Sequence, residues 1–251
     1  GTAMGSYFRR FWQPVALSEE LPEPDGSPVR VTIMGEELVA FRDTKGSIGL
    51  ISRHCPHRGA DLYYGRNEEC GLRCVYHGWK FDSSGKAIEL PNVEPGVALH
   101  NKVRVTAYPT REFGDMVWAW LGPDSDIPEV PNLEVGLVTS ERRYVTKQLI
   151  ECNWAQVIEG DLDASHFSFL HMPAPSVVAD KNPFAPVDSR RLRWIRRNPI
   201  PDCHILDHDT GFVIGWARSA ESEGIYWRVC QFMLPAHGSG LSALPGETYF
   251  G

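Results

Sequence analysis

The sequence predicts an α+β protein in two parts: an all-β N-terminal module, then an antiparallel sheet lying against a helix. Three observations carry that prediction. Up to residue 122 the chain reads as short strand-like stretches separated by turns. A breaker-rich acidic run from Pro123 to Pro131 then interrupts it. Beyond the run, a helix-like stretch from Asn153 to about Leu170 precedes several further strand-like stretches. The expected division is an arm over 1–27, a module over 28–122, a linker over 123–135 and a second domain over 136–251.

Taken in order, residues 6–27 open with Phe8, Phe11 and Trp12 and continue in a Pro/Glu/Asp/Gly stretch around Glu19 to Gly26, a composition that predicts an irregular arm with an acidic loop. Val29 to Met34 and Glu37 to Arg42 alternate around Gly35-Glu36, a hairpin pattern. Lys45-Gly46 turns into a strand over Ile48 to Ser52. Leu72 to Val75 and Trp79 to Phe81 follow as strands, with Ser83-Ser84-Gly85-Lys86 as the next turn. Val103 to Tyr108 and Met116 to Leu121 complete the module. In the last of these, Val117, Ala119 and Leu121 alternate with Trp118 and Trp120, as in a strand buried on both faces. Tyr144 to Ile150 predicts a strand before the helix. A loop rich in Pro, Ala and Asp runs from Pro173 to Pro186. Arg190 to Arg197, His204 to Leu206, Phe212 to Arg218 and Ile225 to Leu234 read as successive strands, and Glu247 to Phe250 is strand-like.

At 251 residues the chain can bury one large or two ordinary cores. A net charge of −7 argues against nucleic acid, whose binding needs a clustered basic surface. There is no long unbroken apolar run to span a bilayer, and GTAMGSYFRR lacks the pattern of a signal peptide. Cys70, Cys152, Cys203 and Cys230 are scattered without a framework spacing, so a reduced, cytoplasmic setting is the simplest expectation. The first residue is not Met and the sequence stops straight after a strand-like stretch, so both ends are expected to be incomplete.

The chemistry concentrates in Cys55-Pro-His57-Arg-Gly and Cys74-Val-Tyr-His77-Gly-Trp79, which are Cys-x-His, sixteen intervening residues, and Cys-x2-His. Two thiolates can hold one iron of a two-iron, two-sulfide cluster while two imidazoles hold the other. Exchanging two anionic thiolates for neutral imidazoles raises the reduction potential. Each half-motif then contributes one ligand to each iron, as two short loops pinching a cluster would. Pro56, Gly59 and Gly78 suit such loops. Tetrahedral zinc is the competing reading, although a finger pairs Cys with Cys and His with His. Unligated core residues are the remaining one.

A second constellation is Glu159-Gly-Asp161-Leu-Asp163-Ala-Ser-His166-Phe-Ser-Phe-Leu-His171. On a helix Asp163 and His166, three apart, share a face. His166 and His171 lie roughly 140° apart at about 100° per residue. They meet on one metal only if the helix bulges or ends between Phe167 and Leu170. By itself this spacing is more easily read as satisfied core histidines beside Phe167, Phe169 and Leu170.

Together the two motifs resemble the Rieske non-heme iron oxygenases, and the run from Asn67 to Phe81 is most similar to the phthalate-dioxygenase-type branch of their large (alpha) subunits. Ala60 and Tyr76 stand where respiratory Rieske proteins carry a disulfide, so none is expected here. The resemblance implies a Rieske [2Fe-2S] domain followed by a helix-grip catalytic domain. It implies Cys55, His57, Cys74 and His77 as cluster ligands. It further implies His166 and His171 as two ligands of a mononuclear Fe(II), with positions left open for dioxygen and substrate. Asp163 would be the carboxylate linking His166 to His77 of a neighbouring subunit in a head-to-tail homotrimer, with Asp161 a competitor off the motif. The family's third iron ligand, an acidic residue, is expected beyond Gly251. Asp180, Asp188, Asp202, Asp207 and Asp209 read instead as loop or turn residues.

The implied function is the terminal oxygenase of aromatic catabolism, acting as dioxygenase or as monooxygenase/demethylase. Electrons come from NAD(P)H through a flavin/iron–sulfur reductase, and the substrate is a small aryl carboxylate or aryl methyl ether. The alternative is a Rieske electron carrier without catalysis, which should end near the linker. Arg190, Arg191, Arg193, Arg196 and Arg197 crowd positive charge into eight residues. On a strand, Arg191, Arg193 and Arg197 share a face with Ile195 and could grip a substrate carboxylate. A solvated, salt-bridged outer strand is the plainer alternative.

Overall fold

The computed structural model describes residues 1–94, 97, 99–172 and 189–243. The chain folds as two compact units, Gly1–Leu149 and Ile150–Gly251. Residues 136–149, expected in the second domain, therefore belong with the first. Arg143 pairs with Asp115 at 2.7 Å and Lys147 with Glu20 at 2.5 Å, which ties this segment to strand-bearing parts of the first unit.

The first unit begins with helix α1 (Ala3–Phe8), capped by the Thr2 hydroxyl. Its strands follow as β1 (Trp12–Leu17), β2 (Val29–Ile33), β3 (Glu36–Arg42), β4 (Ile48–Ser52), β5 (Arg66–Glu68), β6 (Gly71–Arg73), β7 (Lys80–Phe81), β8 (Ala87–Glu89), β9 (Ala107–Tyr108), β10 (Thr110–Phe113) and β11 (Met116–Trp120). They form three sheets, ordered β1-β11-β10, β2-β3-β4-β9 and β5-β6-β7-β8. The arm is thus not irregular. Trp12 and Ala16 bury their side chains, and β1 pairs with β11 from Trp12↔Trp120 to Leu17↔Met116. An apolar strand beside a two-faced partner gains more from pairing than a free arm can.

Period-two alternation explains the layering. In β3, Val39 and Phe41 join Ile51, Leu62, Leu72 and Phe81 in one core, while Leu38 and Ala40 join Leu50, Val117 and Ala119 in another. β11 is buried on both faces as expected, with Trp118 and Trp120 packing against Trp12. The predicted hairpin forms: Met34 and Gly35 take φ of 51° and 77°, the left-handed pair that a two-residue turn between β2 and β3 requires.

The expected linker is pinned to this unit. Trp12 donates to the Pro128 carbonyl at 2.9 Å and Trp120 to that of Pro123 at 3.0 Å, and helix α2 (Glu134–Leu137) closes it. Tyr144 to Ile150 forms no strand. Tyr144 is 90% and Leu149 87% exposed, and among the described residues no neighbouring edge supplies the ladder that alternation alone cannot replace.

The second unit contains α3 (Trp154–Leu162), α4 (Ser189–Arg197), β12 (Asp202–His208), β13 (Gly211–Ser219), β14 (Ile225–Met233) and β15 (His237–Ala243). The four strands make one antiparallel sheet in chain order. Trp194, Ile195, Ala220 and Tyr226 form its core, with Phe167 and Met172 packed against them. The Arg190 to Arg197 stretch is a helix rather than a strand. Trp194 and Ile195 are adjacent and both buried, which a helix permits and a one-faced strand does not. Pro173 to Pro186, Asp180, Asp188 and Glu247 to Phe250 lie outside the described residues. No helix among the described residues is long and apolar enough to cross a membrane.

Candidate metal centres

Two loops of the first unit close in the same way. Cys55 N–H donates to Ala60 O at 2.9 Å, and Gly59 N–H to Cys55 O at 2.8 Å. Cys74 N–H donates to Trp79 O at 2.8 Å, and Gly78 N–H to Cys74 O at 3.0 Å. Gly59 and Gly78 occupy the same loop position with φ of 72° and 74°, a region in which a Cβ is strained. The loops thus share one backbone, although Cys and His are spaced by one residue in the first and two in the second.

The four side chains predicted from sequence are brought together. Cys55 and Cys74 are 2% and 3% exposed, and the rings of His57 and His77 meet edge-on with centroids 4.5 Å apart. Burial pushes the Cys55 thiol up to about 11; His57 and Arg58 N–H groups oppose this and Cys74 beside it adds to it. A buried pair of neighbouring thiols ionises only beside strong positive charge, which metal ions provide. Burial, His77 and Arg58 hold the His57 imidazole below its usual pKa, so it stays neutral and able to ligate. Its Nδ1 is buried without a hydrogen-bond partner among the described residues. An orphaned ring nitrogen beside two buried thiols fits a metal cluster better than a satisfied core.

Trp79, not singled out as a contributor from sequence, stacks on His57 at 4.4 Å and 9°, and its indole N–H donates to Asn92 Oδ1 at 2.6 Å. All six cysteines are free, so the loops carry no disulfide. Among the described residues, no three His, Cys, Asp or Glu side chains converge on one point as for a single metal ion. A two-iron cluster does not require that, because each iron takes only two protein ligands.

In the second unit the helix stops earlier than expected. α3 ends at Leu162, and Asp163 follows in extended backbone with φ −77° and ψ 131°. Asp163 Oδ1 accepts from Ser165 N–H at 2.8 Å and from its hydroxyl at 2.6 Å; Oδ2 accepts from His166 N–H at 3.1 Å and pairs with Nδ1 at 2.9 Å. Despite partial burial, those donors hold the Asp163 carboxyl well below the usual carboxylate range. Asp163 and His166 therefore meet through an Asx-type turn, not across a helix face. A single 3-10 turn at His166–Ser168 then brings His171 round, with ring centroids 5.0 Å from His166. The expected helix end exists, but before His166 rather than after it. Asp161 is exposed and outside this network.

The arginines do not face this turn as a set. Arg190 pairs with Glu223 at 3.1 Å, Arg193 with Glu221 and Glu223 at 3.8 and 3.6 Å, and Arg197 with Glu221. Arg191 is half-buried on the helix face that also carries Trp194 and Ile195. Asp202 and Asp207 sit on exposed β12, not in loops, and Asp209 sits in the turn after it.

The model of the Rieske [2Fe-2S] domain matches residues 11–109, and that of a "LigXa C-terminal domain like" family matches residues 119–198. Phthalate 4,5-dioxygenase oxygenase subunit of Pseudomonas putida is 48% identical over 168 residues, 67% of this chain and 38% of its own. 3-Chlorobenzoate-3,4-dioxygenase oxygenase subunit of Comamonas testosteroni is 40% identical over 236 residues, 94% of this chain and 52% of its own. The chain thus spans about half, or less, of the length of these relatives. The crystal structure of dicamba monooxygenase bound to dicamba aligns with a TM-score of 0.74 at 20% identity, covering 98% of this chain and 70% of that one, a likeness of fold.

Proposed function

Because the chain belongs to the Rieske non-heme iron oxygenase family, we propose that it is the electron-accepting and iron-binding part of a terminal oxygenase alpha subunit. Cys55 and Cys74 hold one iron of the [2Fe-2S] cluster as thiolates, and His57 and His77 hold the other. His166 and His171 would hold a mononuclear iron as two of its protein ligands. The cluster supplies stored single electrons and the mononuclear iron supplies dioxygen activation. The observation that carries the reading is the pair of matched loops with their buried thiols and facing imidazoles.

Asp163 Oδ2 accepts a hydrogen bond from the Nδ1–H of His166, the tautomer that would leave Nε2 for the metal. Its side chain remains 37% exposed, so it can also accept an N–H from His77 of a neighbouring subunit. That second contact requires a head-to-tail ring, which we assign as a homotrimer. A flavin/iron–sulfur reductase supplies electrons from NAD(P)H. The substrate is an aryl carboxylate or aryl methyl ether, in keeping with relatives named for phthalate and 3-chlorobenzoate, and ring dihydroxylation or O-demethylation is the outcome.

The test is substrate-dependent oxygen uptake and product analysis by the full-length protein with a Rieske-system reductase and NADH, using phthalate, 3-chlorobenzoate and a methoxybenzoate. Hydroxylated or demethylated product that disappears in the His166→Ala/His171→Ala variant supports the proposal. Cluster reduction without product from any aryl acid or ether contradicts it and favours an electron carrier.

A further inference from the structure

The turn bearing Asp163 and His166 is gripped from the sheet behind it. Trp216 and Arg218 lie two apart on β13, hence on one face. The Trp216 indole N–H donates to Leu162 O at 2.9 Å, and Arg218 Nη2 donates to Ala164 O at 2.6 Å. Two donors spaced by two on a strand thus meet two acceptors spaced by two on the turn, and the residue between those acceptors is Asp163. From β14, the Arg228 guanidinium covers the ring of Phe167, next to His166, at 4.0 Å from its centroid. Leu162, Ala164 and Phe167 each adjoin Asp163 or His166 in the chain.

The grip is costly to build, which argues for a specific use. Arg218 is only 2% exposed, and its Nε donates to Asn198 O at 3.0 Å. A buried guanidinium whose direct acceptors are main-chain carbonyls gives up hydration without a contacting carboxylate. A Met or Leu would fill the space, but would leave Ala164 O, on a residue with no exposed surface, unsatisfied.

We propose that Trp216 and Arg218 are positioning residues of the mononuclear-iron site, fixing the direction of Asp163 and His166 by holding the carbonyls on either side of Asp163. The inference rests on the iron reading above. It assigns the sheet a role in setting ligand geometry and not only in forming the core. Groups that orient a metal's ligands typically change affinity by about 10- to 100-fold when removed.

The experiment uses the full-length protein with its cluster intact. Trp216→Phe keeps an aromatic ring, smaller than the indole, and deletes one donor, and Arg218→Met deletes the other grip. Asn198→Ala is the control, because the Asn198 amide donates to Trp194 O and Ser219 O in the same unit and touches neither flanking carbonyl. Fe(II) affinity of the mononuclear site is read by chelator competition. Its ligand geometry is read from the rhombicity of the EPR signal with nitric oxide as a probe, with sulfide content as the internal measure of folding. The expected result is Fe(II) affinity lowered by about 10-fold or more in Trp216→Phe and Arg218→Met, with an altered EPR signal and unchanged sulfide. Partial recovery in Arg218→Lys is also expected. Wild-type affinity and signal in Trp216→Phe overturn the inference, as does an equal loss in Asn198→Ala. A wild type that takes up no iron beyond the cluster pair overturns the iron reading itself, and this inference with it.

Discussion

Replacing Glu89 should destabilise the first unit more than replacing Lys80, the residue it neutralises. Lys80 has a side chain 1% exposed, yet its Nζ reaches Glu89 at 2.6 Å and Glu69 at 3.1 Å. Glu89 also takes Arg73 Nη2 at 2.7 Å, and Arg73 in turn donates to Glu68 at 2.5 Å and to the Gly78 carbonyl in the second cysteine loop at 3.0 Å. Glu89→Ala leaves the ammonium with Glu69 alone, whose side chain is 78% exposed. Removing one partner of a fully buried pair costs about 3–5 kcal/mol. The surviving Glu69 and Glu68 contacts reduce this to about 2 kcal/mol. Lys80→Met deletes the buried charge instead. Glu89, 43% exposed, rehydrates and keeps Arg73, and the thioether replaces the alkyl stem, so the cost is about 1 kcal/mol or less. At roughly 2–4 °C per kcal/mol for a unit of this size, Tm should fall by about 4–8 °C in Glu89→Ala and about half that or less in Lys80→Met. Thermal unfolding followed by near-UV circular dichroism and loss of visible absorbance reads both. A Lys80→Met variant less stable than Glu89→Ala would refute the reasoning.

Other outcomes follow from the same geometry. Cys55→Ser, placing a harder ligand in a site only 2% exposed, should lose acid-labile sulfide and visible colour while the β-rich circular dichroism persists; retained sulfide would remove Cys55 from the site. Arg42 donates to both oxygens of Glu112 at 2.8 and 2.6 Å and holds its carboxyl below the usual range. A depressed carboxylate stabilises the folded state above its ordinary pKa, about 4.3, and loses that contribution as pH falls through its folded value. The Tm advantage of wild type over Glu112→Gln should therefore be constant near neutrality and vanish in acid; a gap that widens in acid contradicts the sign. Arg193→Gln should alter stability by about 0.5 kcal/mol or less, since its carboxylate contacts are long and its side chain is 44% exposed. KM for an aryl carboxylate should also stay within about twofold, and a tenfold rise would return Arg193 to the substrate site.

What could be read from the sequence was whatever is local. The Cys/His loops lie within five-residue spans, and β11 announces its two buried faces by alternation alone. The failures arise where two periods fit one stretch or where the partner is distant. Arg190 to Arg197 alternates acceptably as a strand, and only the burial of both Trp194 and Ile195 separates the readings. Asp163-Ala-Ser165 carries the local Asx-turn signal that should have ended the helix at Leu162, but apolar residues on either side suggested continuation. Tyr144 to Ile150 has strand composition without a strand partner. Trp216 and Arg218 act on residues 54 positions earlier, and no pattern within either segment encodes that meeting.

The central claim is a cluster held by two thiolates and two imidazoles, and its reduction potential tests that ligand set most directly. Redox titration of the purified protein, with iron and sulfide measured on the same sample, should give equal iron and sulfide at the cluster. The midpoint should fall between about −150 and +300 mV. A midpoint near −400 mV, the range of all-thiolate clusters, would contradict the assignment of His57 and His77 as ligands, and zinc without sulfide would contradict the cluster itself.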